Sequence, residues 1–257
     1  MLFFTNAQLG AELEDQGGDG TALTHWEKRI FQNEAMTGTV HTQNPVYSRL
    51  TFALLEDSGW YLPNYDLAQE ITWGKNLGCE FATKSCKELM ELDATNIDIE
   101  LDKDNDDDLD MMAGEGKSMV PKKKYPFCNT LMASSPRTFC TSDGQSVGSC
   151  NLVTFGSPIP YQYQNFDAID GVEERDITKV GSSVTLADFC PYIQEFTWKS
   201  SGDSEERGTR CGEVDNLPTG DSNYALEDYG KGSKCFLQGS KWNQKSCRYV
   251  SQSSKSN

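Results

Sequence analysis

Residues 17–38 read GGDGTALTHWEKRIFQNEAMTG. A glycine turn opens the stretch and His25 follows; a short amphipathic segment then leads to Met36, in a second turn between Glu34-Ala35 and Thr37-Gly38. Thr24-x-x-Glu27 has the form of a capping box, with Thr24 accepting from the backbone and Glu27 reaching back. Trp26, Ile30 and Phe31 make an apolar stripe on the helix so begun, with Glu27, Lys28 and Gln32 facing out, and Gly38 stops it. A lone histidine in a first helical turn is ordinarily a polar surface residue. Here turns flank it and a capping box orients it, which suits an imidazole held for a metal. Catalytic zinc takes three protein ligands and an open water position, and its imidazoles are held by further hydrogen bonds.

Downstream, Asn44-Pro45 starts a second helix, with Tyr47, Leu50, Ala53 and Leu54 on one face and a stop at Ser58-Gly59. Pro63-Asn64 turns into a third, about 65–73, with Leu67, Ala68 and Ile71 inward; Gly74 and Gly78 close it before Cys79. Residues 88–116 hold twelve Asp/Glu and one Lys. That composition predicts a solvated, mobile loop over about 88–124. Asp104, Asp106, Asp108 and Glu115 imitate a calcium-hand spacing, but the glycine that such a loop needs at its sixth place is Leu109, so weak counter-ion attraction is the better reading. From about Tyr125, short β-type segments alternate with Ser, Gly, Pro and Asp, as in 149–155, 159–163 and 193–198.

The net charge of −16 excludes nucleic-acid binding, which needs a basic face, and equally an anionic membrane surface. Eleven of those negative charges sit in residues 88–116, so the acidity belongs to a segment. Nine cysteines without a C-x-x-C, beside two histidines, read as disulfides of an exported protein rather than a structural zinc cluster. The first residues, MLFF, are too short for a signal sequence, and no run approaches the roughly 18 apolar residues of a membrane span. The N-terminus is therefore expected not to be the natural start.

LEDQGGDGTALTHWEKRIFQNEAMTG at 13–38 resembles the third-ligand and Met-turn region of the leishmanolysin family, zinc metalloproteases of the metzincin type. SRLTFALLEDSGWY at 48–61 and WGKNLGCEF at 73–81 extend the likeness without gaps. In that family an upstream H-E-x-x-H helix supplies two zinc ligands and the general-base Glu. By this resemblance His25 matches the third zinc ligand, and Met36 the methionine that underlies the metal. The order of the later cysteines implies the pairs Cys86–Cys190, Cys128–Cys150, Cys140–Cys235 and Cys211–Cys247. Cys79 is then left over, its family partner lying just upstream of the LGAELEDQGG region.

The expected fold is α+β. Residues 1–84 would be the helical C-terminal part of a metzincin-like catalytic domain, and 85–257 a disulfide-rich, mainly antiparallel β domain carrying the acidic insertion. No H-E-x-x-H occurs in the chain and His41 matches no ligand, so no catalytic residue is assigned. The expectation is part of a leishmanolysin-like zinc metalloendopeptidase, inactive as this chain. It would act on proteins or peptides, outside the cell or at its surface, with membrane association only through segments not present here. The alternative is a secreted or cell-surface binding and adhesion protein on the same scaffold; a calcium-buffering acidic protein is a third reading.

Overall fold

The structure, a computed structural model, describes residues 10–39, 45–101, 124–132, 137–199, 206–213, 216 and 230–236, with the side chains of 94–101 outside the description. Its helices precede its strands, an α+β arrangement. The helices are α1 (Lys28–Phe31), α2 (Arg49–Asp57), α3 (Cys79–Thr83) and α4 (Cys86–Leu101).

Helix α1 starts later than the sequence suggests. Trp26 pairs with Leu13 on one side and with Thr37 on the other, so residue 26 is extended and helix cannot begin until it is passed. Glu27 is the N-cap, accepting from the Arg29 N–H. The Thr24 hydroxyl turns instead to the carbonyls of Gly20 and Thr21, 3.0 and 3.1 Å away. A true capping box forms elsewhere: the Ser85 hydroxyl accepts from the Glu88 N–H, while the Glu88 carboxylate accepts from the Ser85 N–H at 2.9 Å. It launches α4 straight into the acidic segment, where a loop was expected. The anchor is apolar, for Leu89 is fully buried and Leu92 packs on the same core. Residues 102–123 lie outside the described residues.

Val46 pairs with Glu34 and Ser48 with Gln69, which keeps 46–48 extended and delays α2 until Ser48 can cap it. Tyr47 and Leu54, expected inward, are exposed. The third helix shrinks to one 3-10 turn, Tyr65–Leu67, because Gln69 is drawn into pairing with Ser48. Beyond it Ile71 and Trp73 are buried from an extended segment, and Leu67 faces water.

The strands are β1 (Thr138–Cys140), β2 (Val147–Cys150), β3 (Leu152–Thr154), β4 (Val180–Ser182), β5 (Ile193–Glu195), β6 (Thr197–Trp198) and β7 (Arg207–Gly208). They pair antiparallel as β1-β2-β5, β3-β4 and β6-β7. Residues 159–163, expected as strand, hold a 3-10 turn (Tyr161–Tyr163) behind Pro160. Asn151, fully buried, joins the first two sheets: its Oδ1 accepts from the Tyr192 N–H at 2.9 Å, and its carbonyl accepts from the Ser183 N–H.

One core joins the helical part to the part that carries the strands. Trp26, Ile30, Phe31, Ile71, Trp73, Phe81 and Leu89 from the helical part pack with Tyr125, Val184, Ala187 and Tyr192. Trp73 meets Phe81, Phe127 and Tyr192 edge-on, and its indole N–H donates to the Arg29 carbonyl at 2.9 Å. A smaller core holds Cys150, Leu152, Ile169 and Val180. Disulfides join Cys86 to Cys190, Cys128 to Cys150 and Cys140 to Cys235. Cys247 lies outside the described residues, so the Cys211–Cys247 pairing does too; Cys79, half-buried, opens α3. Between α4 and the strands, the buried Tyr125 ties both its ends down: its N–H donates to the Asp93 carboxylate at 3.0 Å and its hydroxyl to Glu80 at 3.1 Å.

Candidate metal-ligand site around His25

His25 closes a loop whose two stems are paired. The Glu14 N–H donates to the His25 carbonyl at 2.9 Å, and the Leu23 N–H to the Glu14 carbonyl at 2.7 Å. The imidazole is half-buried, and its Nδ1 lies 3.2 Å from the Thr21 carbonyl and 3.0 Å from the Thr24 hydroxyl. A carbonyl can only accept, so the contact with Thr21 favours a proton on Nδ1, and in the tautomer with its one proton there Nε2 carries the lone pair. That is the state in which an imidazole binds a metal.

Met36 reaches the same place through Trp26. The Trp26 N–H donates to the Met36 carbonyl at 3.0 Å, so the Met36 turn runs alongside the residue next to His25. The Met36 side chain is 42% exposed. What holds its turn is Glu34, which the sequence reading passed over. This carboxylate is 1% exposed and accepts four hydrogen bonds: from the Met36 N–H at 2.5 Å, the Ser48 N–H at 3.2 Å, the Ser48 hydroxyl at 3.1 Å and the Thr51 hydroxyl at 2.6 Å. Thr51 in turn accepts from the Trp26 indole at 2.9 Å. Met36, Trp26 and α2 thus hang on one buried carboxylate, and no periodicity or motif marks it.

Glu27 and Lys28, expected to face water, are 2% and 1% exposed. Each is sheltered by a specific bond set. Lys28 Nζ donates to the carbonyls of Gln32 and Thr39 and to the Thr37 hydroxyl, and burial lowers its pKa to about 8. Burial raises Glu27 to about 9, with the Asp188 charge adding to the effect, so this carboxyl is protonated at neutral pH. Burial likewise raises Glu14 to about 6. One carboxylate oxygen from each of Glu14, Asp15 and Glu27 lies within 4.8 Å of the others. This acidic cluster does not include His25, and among the described residues no cluster gathers two further ligands around His25.

Substituting Glu27 tests the buried acid directly. Its folded-state pKa lies above the usual 4.5, so the folded chain keeps a proton that the unfolded chain releases as pH rises. Wild-type stability is therefore lost progressively from about pH 5 upward through this group. Glu27→Gln cannot ionise. Its stability relative to wild type is expected to rise by roughly 3 kcal/mol between pH 5 and pH 8 in paired urea titrations; a pH-independent difference contradicts the assignment.

Comparison with known sequences gives the family. The profile of the leishmanolysin family (peptidase M8) matches residues 3–109 and 110–252. A leishmanolysin-like peptidase of Drosophila pseudoobscura pseudoobscura is 48% identical over 93% of this chain and 31% of its own length. One from Caenorhabditis elegans is 43% identical over 93% of this chain and 32% of its own. Leishmanolysin of Leishmania donovani is 27% identical over 78% of this chain and 26% of its own length. The chain thus spans about a third of the length of the curated relatives it matches most strongly. With matches over nearly its whole extent, the chain belongs to the leishmanolysin family of metallopeptidases.

Proposed function

We propose that this chain is the C-terminal portion of a zinc metalloendopeptidase of the metzincin type, acting on proteins or peptides outside the cell or at its surface. Residues 1–84 would complete the catalytic domain and 85–257 form the Cys-rich domain. The observation that carries the reading is the His25 ring, its Nδ1 3.2 Å from the Thr21 carbonyl, on a loop whose next residue, Trp26, is bonded to the Met36 turn. The donor chemistry fits zinc at one position: an imidazole whose Nδ1 has a carbonyl partner. A zinc ion bound there would supply Lewis-acid polarisation of a peptide carbonyl. His25 would hold it, Met36 would line the floor, and Glu34 would keep that floor in register with His25. Three disulfides fit an oxidising compartment. No helix among the described residues is long and apolar enough to cross a membrane.

The test joins this chain to the part of the Drosophila pseudoobscura pseudoobscura relative that it does not match. The fusion is expected to hold one zinc and to cleave a denatured protein in a chelator-sensitive way, whereas the chain alone does neither. His25→Ala in the fusion should lower zinc affinity by roughly 100-fold or more. A fusion that keeps its zinc and its activity without His25 rules the assignment out.

A further inference from the structure

The His25 loop does not stand on its own half of the chain. It is seated on the turn 184–189, which is more than 140 residues further on and tethered by Cys190 to Cys86. Asp188 takes both stems of the loop with one carboxylate. Its Oδ1 accepts from Gln16 Nε2 at 2.8 Å, just before the glycines, and its Oδ2 from Arg29 Nε at 2.8 Å, on the far side of His25. Leu186 fills the space between the two turns. A Cβ built on Gly38 would stand 2.8 Å from a Leu186 methyl and 2.7 Å from Thr21 Cγ2; one on Gly17 would stand 3.5 Å from Leu186 and 2.9 Å from Thr21 Cβ. At Gly38 Leu186 and Thr21 together crowd out a side chain; at Gly17 Thr21 and a φ of +85° do so, with Leu186 in ordinary contact. Thr21, whose carbonyl lies 3.2 Å from His25 Nδ1, thus shares the space over Gly38 with Leu186. A third grip comes from the Tyr163 hydroxyl, which donates to Asp15 at 3.3 Å while its ring stacks on Phe189.

The seat is itself strained. Asp188 and Phe189 have φ of +53° and +54°, left-handed values that cost a residue with a Cβ on the order of 1 kcal/mol each. They are kept there by the Ser182 N–H on the Phe189 carbonyl, by Asn165 Nδ2 on the Asp188 carbonyl at 3.2 Å, and by the neighbouring disulfide. A conformation that local preference opposes, and that aims one carboxylate at two stems, is set by what it holds.

We infer that the turn 184–189 of the C-terminal part positions the His25 imidazole, with Asp188 and Leu186 as positioning residues that act through the loop stems and through Thr21. The inference rests on the reading of His25 as a metal ligand for its use, but not for its test. Arg29 keeps three other acceptors, the carbonyls of Phe81, Ala82 and Lys84, so losing the Asp188 carboxylate leaves that part of the fold tied.

The experiment follows the His25 ring by long-range 1H–15N NMR in the chain as it stands, using His41→Gln to assign the only other histidine. In the parent, one tautomer with its proton on Nδ1 is expected. Asp188→Ala and Leu186→Ala should each raise the Nε2–H tautomer several-fold and speed exchange of the Nδ1 proton by roughly tenfold. Asp188→Asn, which keeps an acceptor for Arg29, should restore most of the parental signal. Ile169→Ala, in the smaller core, should destabilise the chain without moving the ring. In the fusion described above, Asp188→Ala should weaken zinc by about 10- to 100-fold. If both alanine variants fold and leave the ring unchanged, or if Ile169→Ala moves it as much, the inference falls. A fusion that holds zinc without His25 would instead sink the ligand reading and leave the ring results standing.

Discussion

Glu34→Ala is expected to cost about 3–5 kcal/mol and to release the Met36 turn from α2. The size follows from what the carboxylate leaves behind. Four donors lose their acceptor together: two backbone N–H groups, of Met36 and Ser48, and two hydroxyls, of Ser48 and Thr51. A buried donor without a partner costs about 1–3 kcal/mol, and a cavity the size of the lost side chain admits water to only some of them. Glu34→Gln separates charge from shape. Its amide keeps one oxygen for the Ser48 and Thr51 cluster and sets an N–H against the Met36 N–H, so an intermediate loss is expected. Chemical denaturation gives the free energies, and amide exchange at Trp26, whose N–H rests on the Met36 carbonyl, gives the location. A loss below about 1 kcal/mol for the alanine variant would mean that the network is incidental.

Removing the Cys86–Cys190 bridge as a paired alanine variant should cost about 4–5 kcal/mol, the largest loss among the three described disulfides. This bond closes a separation of 104 residues, against 22 for Cys128–Cys150. In the chain-entropy account the longer loop frees more of the unfolded ensemble, and the short one should cost about 3 kcal/mol. Cys86 is also fully buried and Cys190 nearly so, so two alanines leave a cavity beside the seat of the His25 loop. In a chain of this size the expected fall in melting temperature is roughly 10–15 °C. Finding that the Cys128–Cys150 pair costs as much or more would reverse the ordering and point to strain or residual unfolded structure instead.

The α+β character was legible from the cysteine-rich, turn-broken second half and the periodic first half. The turns on either side of His25 were legible too, because turns announce themselves through glycine. What periodicity misread were the charges. It assigns Glu27 and Lys28 to water and says nothing of Glu34, and all three are buried. Burying them depends on partners that a helical pattern does not encode: the Thr37 hydroxyl and Thr39 carbonyl for Lys28, and Ser48 and Thr51 for Glu34. The capping box was sought at Thr24 and Glu27, where Trp26 is held extended by two neighbours, and overlooked at Ser85 and Glu88, where acidic composition argued for loop. Asp188 was out of reach altogether. Its two contacts span 159 and 172 residues, and nothing local sets it apart.

Tyr125 and Asp93 have a consequence for how such a sequence can change. The chain departs from the core at Asp93 and comes back 32 positions later onto that same carboxylate, so entrance and exit coincide. Sequence added between two points already held together costs little, about 0.6 kcal/mol for each doubling of length. The tie between Asp93 and Tyr125 therefore makes added length between them cheap for the machinery around His25. An affinity tag or a reporter domain belongs at that place rather than anywhere along residues 10–39.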